Sequence, residues 1–257
     1  MRILITNDDG VDAPGIAVMR EIAATLSDDV WVVAPDGNQS GASHRFTFGR
    51  ELGLEERGDK VFAVVGGSPA DCVVAAMTHV CKDLRPELVL SGINNGQNLG
   101  DIINCSGTAA GAREGAFHGA LGIGISQAVN YEKGDHIEWT NSRKYAAGVV
   151  RSLWDKVETR GQVFFNVNIP WQAEVTGVRV APSQRFSRSP MAYYPSDNAG
   201  KFFIAIPETP KPLDPESDFH LLMHSSAITI TPLMLQATDY GVVDELNGVI
   251  GVWTGTA

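Results

Sequence analysis

Short apolar runs alternate along the first half of the chain with longer stretches in which apolar positions recur every three or four residues. ILIT (3–6), VWVVA (30–34), VFAVV (61–65) and LVLSG (88–92) have the length and β-branched content of buried strands. PGIAVMREIAATL (14–26) and SPADCVVAAMTHV (68–80) carry the helical period between them. Alternation of this kind predicts crossover units that build a mainly parallel, doubly wound sheet. Local start signals agree: Pro14 suits a first helical turn, and Ser68-Pro69-Ala70-Asp71 reads as N-cap, proline at N1 and an acidic N3 residue.

LGIGISQAV (121–129) predicts one more buried strand, and residues from Thr140 to about Val157 predict another helix. Thereafter the pattern changes. VFFNVNIP, VRVA, KFFIAIP and AITITPL are strand-like and are separated by the loop-rich stretches SQRFSRSPMAYYPSDNAG and PETPKPLDPESD. The expected organisation is a Rossmann-like catalytic core over residues 1–160. Residues 161–257 would form a β-rich extension that completes the sheet, carries a hairpin arm and makes an oligomer interface. Met191, Tyr193, Tyr194, Phe202, Phe203 and Ile206 make that arm too apolar to be fully solvated.

Composition narrows the function classes. At 257 residues and 44% hydrophobic content the chain can bury a full core, and its formal charge of −10 argues against a polymeric nucleic acid as partner. No charged leader with an apolar segment opens the chain and no apolar run is long enough to span a bilayer, so a cytoplasmic location without membrane attachment is expected. Cys72, Cys81 and Cys105 are odd in number and lack C-x-x-C spacing, which suits free thiols.

In a parallel sheet every strand ends at one edge, and ligands bind in the crevice outside those carboxyl ends. The loops expected there are Asn7-Asp8-Asp9-Gly10, residues 35–43 (PDGNQSGAS), residues 91–96 (SGINNG) and Ser106-Gly107-Thr108. Asp8 and Asp9 are like charges at one corner, and a cation would relieve them. A hard divalent ion prefers carboxylate, amide and hydroxyl oxygens, a set that Asp8, Asp9, Ser40 and Asn94 can supply. Plain turns account equally for Asp8-Asp9-Gly10 and, taken alone, better for Asn94-Asn95-Gly96. Ser106-Gly107-Thr108-Ala109-Ala110-Gly111 opens a helix with small residues, which fits an anion cradle or close helix-on-sheet packing. There is no G-x-x-x-x-G-K-[ST], and no G-x-G-x-x-G follows the first strand. His220 and His224 read as surface or interface histidines rather than a metal pair. His44 either reaches leaving-group oxygens or is a solvated loop residue.

Taken in order, ILITNDDGVDAPGI, VVAPDGNQSGAS, GGSPADCV, LVLSGINNGQNLGD, SGTAAGAREGA and SDFHLLMHSSAITITPL resemble the SurE family of metal-dependent survival-protein phosphatases, which act as 5′/3′-nucleotidases. The resemblance implies a Rossmann-like core, homodimers or homotetramers, and one divalent ion per subunit, Mg²⁺ or Mn²⁺, on Asp8, Asp9, Ser40 and Asn94. It implies a phosphate-facing set of Ser106, Gly107 and Thr108, with Asn38 nearby, and nucleoside monophosphates or short polyphosphate as substrates. Asp8 or Asp9 would serve as ligand and proton acceptor, or as nucleophile on an aspartyl-phosphate route. Gly37 stands where the family usually has arginine, Cys105 where it usually has an aromatic residue, and SSAITITPL where G-Y-V-S-[IV]-T-P-L is common. The alternative from another class is a non-catalytic nucleotide or phosphate sensor on the same fold. A third, blander reading is a structural α/β subunit.

Overall fold

The computed structural model describes residues 1–131, 134, 136–158, 160–187, 189, 191–205 and 212–249. One nine-stranded sheet organises it, in the order β3-β4-β2-β1-β5-β6-β7-β11-β8. These strands are β1 (Ile3–Thr6), β2 (Val30–Pro35), β3 (Gly53–Gly58), β4 (Val61–Val65), β5 (Leu88–Asn95), β6 (Leu121–Gln127), β7 (Val163–Ile169), β8 (Val178–Val180) and β11 (Ile228–Met234). Pairing from β4 through β7 is parallel throughout, with registers such as Ile3 against Val30 and Ile3 against Leu88. Only the flanks reverse: β3 runs antiparallel to β4, and β11 antiparallel to β7.

The period of two in the strands divides the core. Ile3 and Ile5 of β1, with Leu88 and Leu90 of β5, face α1 (Pro14–Ala24) and α4 (Thr140–Lys156), where Met19, Ile22 and Val150 complete one cluster. Leu4 and Val89, one residue out of phase, pack with Val73 of α2 (Pro69–Ala75) and with Met77 of the π turn that follows it. Each fully buried Ile, Leu or Met stabilises the fold by about 1.5–3 kcal/mol. Ser68 and Asp71 form the reciprocal capping box expected at the start of α2.

Helix α3 (Gly107–Phe117) lies unusually close to the sheet, because a Cβ on Gly115 would come 2.6 Å from Val89 Cβ and one on Gly111 2.7 Å from Ser91 Oγ. Ala109, Ala112 and Ala116 pack on Phe164 of β7. Close packing on the sheet therefore accounts for the small residues of this helix, whose first turn is itself buried.

The exposed strand β3, GLEERG, was not expected. It has no apolar period, and its charges blunt the sheet edge. Downstream, β9 (Ala192–Pro195) and β10 (Phe202–Ala205) pair antiparallel as the hairpin arm, with Tyr193 stacked on Phe202 at 4.9 Å. Ile206, counted with that arm from the sequence, lies outside the described residues. Two further helices fall in stretches read as loop or left unassigned, α5 (Asp218–Met223) and α6 (Tyr240–Val249). Among the described residues no helix is long and apolar enough to cross a membrane.

Candidate active site at the carboxyl edge of the sheet

Where β1 ends, Asn7 folds the chain back on itself. Its Nδ2 donates to the Gly10 carbonyl at 2.9 Å and its Oδ1 accepts the Gly10 N–H at 3.1 Å, all of it buried. The turn expected from Asp-Asp-Gly is therefore fixed by Asn7, and both aspartates are left for other partners. Asp8 is 4% exposed and its Oδ1 accepts the Thr108 hydroxyl at 2.7 Å. Burial raises the Asp8 pKa; the Thr108 hydroxyl and the backbone N–H groups of Asp8, Thr108 and Gly107 oppose that rise. The α3 N-terminus thus faces a carboxylate of the chain itself, which suits the helix dipole.

Asp9 is pushed up to about 6, first by burial and then by the charge of Asp8, against the Asn95 N–H that donates to its Oδ2 at 3.2 Å. Among the described residues no lysine or arginine pairs with either carboxylate. Two neighbouring acids disfavoured as anions, and lacking a cationic side chain, form a donor set that fits a divalent cation.

The other candidate residues gather on this pair. The Gln39 N–H donates to the Asp8 carbonyl at 2.7 Å, which brings the loop after β2 against β1. Within that loop Asn38 Oδ1 accepts the Ser40 N–H at 2.8 Å, leaving the Asn38 amide NH₂ as its donor. Asn94, at the end of β5, spends its Nδ2 on the Gly96 carbonyl at 2.7 Å, so that its carbonyl oxygen, a hard-ion ligand atom, is left. Ser106 caps α3 by accepting the Ala109 N–H at 3.0 Å. Gly107 sits so close that a Cβ there would lie 2.7 Å from Asp8 Cβ. Thr108 is fully buried, its hydroxyl committed to Asp8. All eight residues thus come from segments at one edge of the sheet, Asn94 from the end of β5 and Gly107 and Thr108 from the first turn of α3, although Ser106 and Thr108 use their hydroxyls within the protein.

A cleft of about 540 Å³ opens at Asp9, lined by Pro14, Asn95, His136 and Trp139. A second, of about 530 Å³, opens beside Cys105 between Asp101, Arg185, Phe186 and Met191.

Some contributors were not foreseen. Asn98 donates its N–H to Asn168 Oδ1 at 2.8 Å and its Nδ2 to Ser126 Oγ at 3.0 Å, and its carbonyl accepts Asn166 and Asn168. This buried network pins the segment between β5 and α3 over the sheet; its one trace in sequence is the alternating asparagine of VFFNVNI. His44 is neither solvated nor free, since its Nε2 lies 2.9 Å from Glu114 Oε2. His220 of α5 and His224, which follows its last turn, stand with ring centroids 5.2 Å apart. Among the described residues no three or more His, Cys, Asp or Glu side chains form a metal-binding group.

Fold and loops together define a doubly wound α/β protein with an acidic site at the carboxyl edge of its sheet. The chain belongs to the survival protein SurE family, whose model matches residues 3–189. The 5′-nucleotidase SurE of Brucella anthropi is 38% identical over 258 residues, covering 98% of each chain. That of Methylorubrum populi is 39% identical over 243 residues, covering 93% of this chain and 95% of the relative. The crystal structure of the SurE protein from Aquifex aeolicus superposes with a TM-score of 0.84 at 30% identity, over 96% of this chain and 99% of that one.

Proposed function

We propose that this chain is a nucleotidase, a phosphoric monoester hydrolase that converts nucleoside 5′- or 3′-monophosphates to nucleoside and phosphate, with short polyphosphate as a further substrate. The observation that carries the reading is the pairing of Asp8 and Asp9 at the end of β1, without a cationic side chain among the described residues, in a chain whose relatives are named for that activity.

Asp8, Asp9, Ser40 and Asn94 would hold one Mg²⁺ or Mn²⁺ per subunit, which when bound supplies a Lewis acid for a phosphoryl oxygen and acidifies water. The chain's own residues do the rest. Thr108 and the first N–H groups of α3 keep Asp8 oriented. Asp8 or Asp9 would also take the proton during attack, and Asp9 is the less deeply buried of the two. The Asn38 amide donates to the phosphoryl group from the opposite loop, with the α3 start at Ser106 and Gly107 as the other wall. The nucleoside lies in the cleft at Asp9, its base against Trp139.

Oligomerisation, as a homodimer or homotetramer, is supported by the apolar surface of the second half. Tyr193, Phe202, Phe203 and Ile204 of the hairpin are 55–63% exposed, and Tyr240, Val242 and Leu246 of α6 add a second apolar face. Light scattering at micromolar concentration would give a multiple of the monomer mass, and a monomer mass would remove this part.

The decisive experiment is phosphate release from a nucleoside monophosphate panel with Mn²⁺, Mg²⁺ or EDTA. Release that is abolished by EDTA and by Asp8→Asn is expected. Metal-dependent nucleotide binding without release would leave a sensor, and neither would leave a structural subunit.

A further inference from the structure

Glu114 is a buried carboxylate on α3 that the proposed chemistry does not use. Its Oε2 lies 2.9 Å from His44 Nε2 and its Oε1 3.1 Å from His118 Nε2. In the tautomer that carries its proton on Nε2, an imidazole donates to a carboxylate oxygen, and both contacts lie at the distance of such a bond. The His118 contact is local, one helical turn along. His44, by contrast, is 70 residues away in sequence, on the loop that carries Asn38 and Ser40.

The approach of that loop to α3 is built in detail. Ser43 adopts φ +56°, a region seldom taken by a residue other than glycine. Its N–H donates to the Cys105 carbonyl at 3.2 Å and its hydroxyl to the Asn104 carbonyl at 2.6 Å. The bend delivers the His44 ring onto Phe117 of α3, nearly parallel at 8° with centroids 6.1 Å apart, and Phe46 closes the other side at 5.3 Å. Residues 36–52 contain no strand or helix, so side-chain and loop contacts locate the segment: the Gln39 N–H on the Asp8 carbonyl at its start, and these contacts with α3 and the turn before it. Further along, Thr47 is tied to Asp71 and the Arg45 carbonyl to Ser68, both at the start of α2.

We propose that His44 is a positioning residue: its bond to Glu114 fastens the Asn38–Ser43 loop to the helix that also orients Asp8 through Thr108. Thr108 and Glu114 are six residues apart, about 9 Å along one helix axis. Both walls of the site are therefore referred to a single rigid element, so that α3 shares with the Gln39 N–H bond to the Asp8 carbonyl in setting the distance between the Asn38 amide and the Asp8 carboxylate. The catalytic consequence rests on the nucleotidase reading; the anchoring does not.

The test compares the full-length wild type with His44→Ala, His44→Phe, which keeps the stacked ring without Nε2, and His44→Gln, which restores an N–H donor. Amide hydrogen exchange of residues 38–43 is measured on the metal-free protein, alongside its melting temperature. KM and kcat are measured with adenosine monophosphate and Mn²⁺. His44→Ala and His44→Phe should speed exchange in 38–43 about tenfold or more while the core strands stay protected. KM should rise about tenfold, with kcat falling less, and His44→Gln should recover most of both. Unchanged exchange in His44→Phe, or His44→Gln no better than His44→Ala, would overturn the proposal. So would failure of both His44→Ala and His44→Phe to fold, which would make His44 merely structural. A wild type that releases no phosphate would sink the nucleotidase reading, and the exchange data would still decide the anchoring.

Discussion

The Thr108 hydroxyl donates to Asp8 Oδ1 at 2.7 Å across a separation of 100 residues, with both side chains buried. A carboxylate that is to hold a cation must be oriented, and groups in this supporting position typically matter 10–100-fold. Thr108→Val keeps the shape and removes the donor. We expect phosphate release to fall by about that factor, with a weaker rise in melting temperature on adding Mn²⁺. Thr108→Ser should retain most of both. Wild-type kinetics in Thr108→Val would mean that Asp8 needs no such support.

Gly107 tests the same contact from the backbone side. A Cβ there would lie 2.7 Å from Asp8 Cβ and 2.8 Å from its Oδ2, so Gly107→Val must displace the aspartate or the first turn of α3. Loss of turnover and of metal-induced stabilisation is the expected result. Gly148 of α4 is the control, since nothing lies within 4 Å of a Cβ built there. Gly148→Ala should leave activity unchanged and stabilise the protein by about 0.5–1 kcal/mol in urea unfolding.

Legibility differed between elements for physical reasons. ILIT and LVLSG read as strands because a strand buried on both faces forms a nearly continuous apolar run, VFAVV because its β-branched residues suit a strand, and the Ser68–Asp71 cap is written in four consecutive residues. β3 could not be read that way, for GLEERG pairs through its backbone at an edge where side chains carry no period. Single residues of the site were visible as chemical types, yet not their commitments. That Thr108 spends its hydroxyl on Asp8 and His44 its ring on Glu114 depends on contacts between segments far apart in sequence, whereas Asn38 spends its oxygen on Ser40 within its own loop.

Asp29 offers a pH test remote from the site. Lys60 Nζ at 2.8 Å, then Arg2 Nε at 2.7 Å and the Trp31 indole N–H at 2.9 Å, hold its carboxyl well below the usual range. A depressed carboxylate pKa contributes stability that is full above the unfolded value of about 4 and is lost progressively as pH falls below it. Asp29→Asn should therefore lower the melting temperature at pH 7, on the scale of about 1 kcal/mol or less because the group is partly solvated. The gap from wild type should narrow between about pH 4 and pH 2. A gap that stays constant over that range would assign the loss to packing rather than charge.

Cys105 precedes the α3 N-cap, a setting in which a cysteine can become a nucleophile. A cysteine phosphatase closes its phosphate loop with arginine at C-x₅-R spacing, and the residue so spaced here is Gly111. The nearest arginine on the helix, Arg113, is turned away: its guanidinium lies 5.0 Å over the Phe164 ring, and burial lowers its pKa. What Cys105 gives the structure is its carbonyl, which receives the Ser43 N–H and is unaffected by the side chain. Cys105→Ser should accordingly keep most of the phosphate release. Iodoacetamide on the native protein should label the half-exposed Cys105 first, since burial pushes the Cys72 and Cys81 thiols up. An inactive Cys105→Ser that still shows metal-induced stabilisation, or a phosphocysteine trapped by mass spectrometry, would replace the carboxylate-centred mechanism with a covalent one.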